Sequence, residues 1–110
     1  MGYAQSTDWG CDSWGVAGQV FGMQSDAVFG MAIYLEGGNM SLEAFSGAAP
    51  GYGLGGYQIQ VNSAPANTTT TYRLQLRDLA GLSVSDWYYL KTSDQCSQNL
   101  IKVNFVQNHE

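Results

Sequence analysis

Charge is scarce in this chain, and positive charge is scarcest. Of its 110 residues, four are Lys or Arg, nine are Asp or Glu and one is His, for a net charge of -5. Four cations cannot build the basic stripe that neutralises phosphates, so nucleic acid and anionic membrane surfaces are not expected partners. The single histidine is His109, second from the end. A Ser-His-Asp or Cys-His site built on a chain terminus is not expected. No apolar run approaches the roughly 20 residues that cross a bilayer. Nor does a 3.6-residue apolar stripe occur, and the 14 glycines interrupt every stretch that could become a long helix. The opening MGYAQSTDWG has neither the basic start nor the apolar segment of a signal peptide. The expectation is a piece of a longer, multidomain, exported protein.

Cysteine is nearly absent too. Cys11 and Cys96 lie 85 positions apart, with no CxxC motif. Two readings are open: a pair of unrelated buried thiols, or one disulfide tying the N-terminal segment to the run into the last strand. The disulfide is the favoured reading, and it would place the protein in an oxidising, secreted or cell-surface compartment. Neither cysteine has a basic neighbour in sequence to activate it as a nucleophile.

What is present is a 45% hydrophobic content, a surplus of Gly, Tyr, Ser, Thr, Asn and Gln, and alternation at period two. Val16 to Phe21 and Val28 to Leu35 read as two strands of an opening hairpin, turned at Gln24-Ser25-Asp26. Met31, Ile33 and Leu35 lie on one face of the second strand; Ala32, Tyr34 and Glu36 lie on the other. Met40 to Ser46 alternates more weakly. Tyr57, Ile59 and Val61 alternate with Gln58, Gln60 and Asn62, and Tyr72, Leu74 and Leu76 with Arg73, Gln75 and Arg77. Leu82 to Leu90 carries Trp87-Tyr88-Tyr89, and Ile101, Val103 and Phe105 close the chain. These are seven short strands with turn signals about every ten residues, the pattern of an antiparallel, immunoglobulin-like β-sandwich. Residues 1–15 are expected as an extended leader pinned by Cys11, 16–106 as the sandwich and 107–110 as a tail. The expected core is Val20, Met31, Ile33, Leu35, Tyr57, Ile59, Val61, Leu74, Leu76, Ile101, Val103 and Phe105.

The stretch GQVFGMQSDAVFGMAIYLEG resembles the carboxypeptidase regulatory-like domains, which are transthyretin- or prealbumin-like sandwiches. Gly18, Val20, Val28, Gly30, Ile33, Leu35 and Gly37 fall into the frame G-x-V-x-D-x-x-G-x-P-V-x-G-A-x-V-x-L-x-G. Gly56, Tyr57 and Ile59 match the later D-G-x-Y-x-F element. Gly22 stands where the family often has Asp, Ser25-Asp26-Ala27 replaces its G-x-P turn, and Gly55 replaces the Asp of the second element. The resemblance spans roughly residues 16 to 62. It implies a non-catalytic module of a secreted or surface protein, with an accessory, binding or structural role.

The remaining chemistry is sparse. Asp8, Asp12, Asp26, Glu36, Glu43, Asp78, Asp86 and Asp94 could supply a hydrolase's carboxylate pair. Most of them fall in expected turns or on outer faces, where solvated surface acids are the plainer reading. No EF-hand spacing occurs, so the only cation reading is a structural calcium in the Thr92 to Gln95 loop. No metal centre, cofactor or catalytic residue is expected. GAAPGYGLGG lacks the Lys-Ser/Thr ending of a phosphate loop. Aromatics are what exceed the needs of a small core. Trp9, Trp14, Tyr52, Trp87 and Tyr88 are the expected ligand contacts, toward a protein partner or, alternatively, a polysaccharide at the cell surface. In the Trp87-Tyr88-Tyr89 run, Trp87 and Tyr89 are expected inside and Tyr88 over a sheet face.

Overall fold

The computed structural model describes residues 2–4, 10–22, 26–38, 40–63, 66–78, 80, 82–83 and 85–106. Among these the chain is all-β, with nine strands in two sheets and only two short 3-10 turns, at Pro50–Tyr52 and Cys96–Gln98. The strands are β1 (Gly2–Ala4), β2 (Trp14–Phe21), β3 (Ala32–Gly37), β4 (Met40–Phe45), β5 (Gly56–Val61), β6 (Tyr72–Arg77), β7 (Tyr88–Tyr89), β8 (Leu100–Lys102) and β9 (Phe105–Val106). One sheet runs β1-β8-β2-β5, with β9 also on β2; the other runs β4-β3-β6-β7.

The expected seven antiparallel strands need three corrections. The closing strand breaks into β8 and β9, and both pair parallel to β2. The expected leader is itself part of a sheet: β1 pairs antiparallel with β8, and β2 begins at Trp14. The opening hairpin does not form as a hairpin, because β2 and β3 belong to different sheets. Among the described residues, the 26–28 segment stays on the end of β2 through the Phe21–Ala27 bridge and the bonds from Val28 N to Val20 O (2.9 Å) and from Gly22 N to Asp26 O (2.7 Å). At Gly30 the chain takes a positive φ of 77° and crosses to the second sheet, a conformation open to glycine at little steric cost. The Gln24-Ser25 part of the expected turn and the 107–110 tail with His109 lie outside the described residues.

The two inner faces share one core. Trp14, Val16 and Val20 of β2 meet Tyr57, Ile59 and Val61 of β5 and Ile101 of β8 on one side. Ile33, Leu35, Leu74 and Leu76 face them from the other. Leu90, just past β7, is fully buried and completes the core. Met31 and Phe105, expected in the core, only pack partly buried against it. Burying this apolar area is the main favourable term of the fold.

The disulfide is present. Cys11 and Cys96 are bonded, with Cα atoms 5.1 Å apart. Beside it, the buried Asn99 amide donates to Gly10 O (3.3 Å) and Ser13 O (3.2 Å), while Gly15 N donates to Asn99 O (2.9 Å). The N-terminal segment is thus tied to the 96–99 turn by sulfur and by amide bonds together.

Among the described residues, Tyr57 carries a strongly perturbed titration. Its ring is fully buried, and its hydroxyl donates to Val103 O at 2.6 Å. Burial pushes the phenol pKa up. The native state therefore keeps this proton where the unfolded chain, with an ordinary value of about 10, loses it. The stabilisation is fully present below that value and declines as pH rises above it. Tyr57→Phe is expected to cost about 1–2 kcal/mol at neutral pH, because the Val103 carbonyl loses its phenol donor. The same substitution should flatten the loss of stability above pH about 10. Urea unfolding across the alkaline range measures both; an alkaline slope unchanged in Tyr57→Phe would assign that loss to other groups.

Candidate functional site

Alternation along β3, β4 and β6 sends a second set of side chains outward from the four-stranded sheet. Register places Glu36 opposite Arg73, Tyr34 opposite Gln75 and Ala32 opposite Arg77. On the other side of β3, Glu43 lies opposite Tyr34 and Phe45 opposite Ala32. Side chains facing one another across strands in this way interact directly. Arg73 Nε donates to Glu36 Oε1 at 3.0 Å, and Arg73 Nη2 forms an ion pair with the same oxygen. Hydrogen bonding to Glu36 is the main cause holding the Arg73 guanidinium above its ordinary pKa, with a further contribution from Tyr89.

Trp87 turns this row into a stack. The Arg73 guanidinium lies 3.9 Å above the Trp87 ring, and that of Arg77 lies 5.5 Å from it and 4.1 Å above the Tyr34 ring. Tyr34 and Trp87 meet edge to face, with centroids 6.3 Å apart and planes at 62°. Cations and rings therefore alternate as Arg73, Trp87, Arg77, Tyr34, each contact being an attraction between a cation and a ring quadrupole. The 85–87 segment is held to β6 by hydrogen bonds. Leu76 N donates to Ser85 Oγ (2.9 Å) and Gln75 Nε2 donates to Ser85 O (3.3 Å); within β6 itself, Arg77 Nε donates to Gln75 Oε1 (2.8 Å). Tyr89 and Phe45, both exposed, flank the stack. Glu36 pairs with Arg73, but among the described residues no carboxylate pairs with Arg77.

The expected contact aromatics divide. Trp87 is half-buried and central to the stack. Trp14 is a correction: it is 4% exposed and packs edge to face on Tyr72 at 4.8 Å, because β2 starts at Trp14 and points it inward with Val16. Trp87 and Tyr89 are not in the core as expected, since the chain reaches the interior only at Leu90. Tyr88 is exposed, opposite Leu74 at the rim of the sheet. Tyr52 is half-buried in the 3-10 turn before β5, away from this face. Trp9 lies outside the described residues. Arg73 and Arg77 were missed as site residues. Their alternation with Leu74 and Leu76 put them on an outer face, but only the fold brings Trp87 over them.

Among the described residues, no three His, Cys, Asp or Glu side chains gather as a metal-binding group, and no helix is long and apolar enough to cross a membrane.

No known family model matches the chain, and no curated protein matches it. Among solved structures, the chain is similar to the dioxygenase domain of a dioxygenase–carbohydrate-binding protein fusion from the cellulolytic bacterium Streptomyces sp. SirexAA-E. The TM-score is 0.58 and the identity 14%, over 93% of this chain and 82% of that one. At that identity the likeness is one of fold: two sheets of β-strands about a shared core.

Proposed function

We propose that this domain is a non-catalytic accessory module of an extracellular protein, and that it grips a protein partner through the outer face of the β4-β3-β6-β7 sheet. The observation that carries this reading is the Arg73–Trp87–Arg77–Tyr34 stack. Tyr, Trp and Arg are the residues that dominate binding energy at protein interfaces, and here they are packed on one another with no partner present. The resemblance to carboxypeptidase regulatory-like modules and the Cys11–Cys96 bond both support an extracellular, prealbumin-like accessory role. A sugar platform of stacked rings is less favoured, because Tyr34 and Trp87 are 62° from coplanar and each carries a guanidinium over a face.

Trp87→Ala is expected to weaken partner binding by roughly 30-fold or more, while lowering stability by only about 1 kcal/mol through the lost cation–π contacts. A photo-crosslinking residue placed at Phe45 in the full-length protein on its native surface should give a protein adduct that Trp87→Ala suppresses. The same residue at Lys102, on the other sheet, should give none. Equal adducts from both positions, or Trp87-dependent retardation in a neutral polysaccharide gel without any protein adduct, would replace this reading with another.

A further inference from the structure

A second surface lies where the ends of the two sheets meet, distinct from the arginine–aromatic face. Tyr3 of β1, Asn67, Lys91, Thr92, Ser93 and Gln98 line an open cleft of about 440 Å³, within the range of roughly 300–1,000 Å³ that small-molecule sites occupy. Its walls are braced from several directions. The Thr68–Thr92 bridge holds one side through Thr92 N to Thr68 O (2.9 Å) and a 2.6 Å contact between the two hydroxyls. The turn carrying Gln98 begins at Cys96 and is fixed by the disulfide.

The hydrogen bonds inside this cleft have a one-sided outcome. Tyr3 donates its hydroxyl proton to Lys91 O (2.5 Å), Thr92 donates to Ala66 O (2.5 Å), and Ser93 donates to Gln98 Oε1 (2.7 Å). Asn67 Oδ1 accepts from Asp94 N (3.1 Å), and Ser93 Oγ accepts from Gln95 N (3.1 Å). Each amide oxygen therefore already accepts one bond within the protein. Left over, among the described residues, are donors: Asn67 Nδ2, Gln98 Nε2 and the Lys91 ammonium, which no carboxylate pairs. Each amide thus keeps its N–H donors free and only one lone pair on its oxygen, and an ammonium offers three donors and no acceptor.

The geometry points to a site for a sugar acid: a small polyhydroxylated ligand whose carboxylate meets Lys91, whose ring oxygens meet the Asn67 and Gln98 amides, and whose ring lies against Tyr3. The carboxylate follows from the excess of donors around one positive charge. The polyhydroxylated body follows from walls that set the Asn67 and Gln98 amides and the Ser93 hydroxyl among apolar surface that includes the Tyr3 ring, as the hydroxyls and C–H faces of a sugar ring require. The size follows from the volume. This site is independent of the stack on the four-stranded sheet, so either can fail without the other.

The experiment is an NMR titration of the isotope-labelled domain with three probes: glucuronate, glucose and acetate. Glucuronate should shift the signals of Lys91, Asn67 and Gln98 saturably, and should bind at least about tenfold more tightly than glucose or acetate. Lys91→Gln should weaken glucuronate at least about tenfold with an unchanged melting temperature, since Lys91 is exposed. Lys102→Gln should leave binding as it was. Asn67→Asp, which replaces a donor by a negative charge, should abolish it. Acetate binding as tightly as glucuronate would reduce the site to a bare ion pair and overturn the assignment. So would the absence of saturable shifts at these residues, or shifts that Lys91→Gln leaves in place.

Discussion

Serine at both Cys11 and Cys96 is expected to lower the melting temperature by roughly 15–20 °C, the largest effect of any change that leaves the core intact. The bond closes a loop of 85 residues, most of the chain. In the chain-entropy account, releasing so long a loop restores about 4–5 kcal/mol of freedom to the unfolded state. The native side loses a clamp as well. The 10–15 segment would still be held to the 96–99 turn by the Asn99 amide and the Gly15–Asn99 bond. Cys11 is exposed, so a reductant can reach the bond in the native state. Thermal melts with and without reductant, the thiols then alkylated, make the measurement. A melt that reductant moves by no more than a few degrees would show that the bond contributes little to stability.

Gly18→Ala is expected to cost about 3 kcal/mol, although it adds one methyl group to a strand. Gly18 lies where the partner of β2 changes from β8 to β9. Parallel pairing runs to Ala17–Lys102 and resumes at Val20–Phe105, and residues 103 and 104 fill the gap. There the Val103 backbone approaches so closely that a Cβ on Gly18 would overlap its carbonyl, and the Asn104 side chain is next nearest. That same carbonyl accepts the Tyr57 hydroxyl, and Asn104 Oδ1 accepts from Gln19 N at 2.9 Å. Backbone cannot move aside as a flexible side chain can, so the methyl group must push β2 from the end of β8 and strain both bonds. Gly51→Ala is the matched control, since a Cβ there meets nothing within 4 Å; it should stay within about 0.5 kcal/mol of the parent. Equal stabilities for the two variants, measured by denaturant unfolding, would show that β2 and residues 103–104 tolerate separation at this point.

The legibility of this protein in its sequence follows the range of the interaction being read. Alternation is local, so the inward sets Ile33/Leu35, Tyr57/Ile59/Val61 and Leu74/Leu76 were identified from residue type alone, and all are buried. The bridge was legible because the chain holds only two cysteines. Trp14 was misplaced because a tryptophan in a polar leader looks exposed until β2 is seen to begin there. Trp87, an expected contact, was also expected to face the core, because consecutive aromatics beside a short edge strand carry no sign of which one faces in. The two arginines under it alternate as any solvated outer face does. Nothing local distinguishes a cation above an indole from a cation in water.

Strand character, the buried face of the long strands and the sulfur tie were therefore properties of the sequence by itself, since each rests on side-chain period or on a unique pair of atoms. The tertiary structure decided which sheet each strand joins, the parallel placement of β8 and β9 along β2, and the meeting of Trp87 with Arg73 and Arg77. Those outcomes depend on contacts between distant residues, and a hydrophobic alternation fits equally well against several neighbours until the whole core selects one.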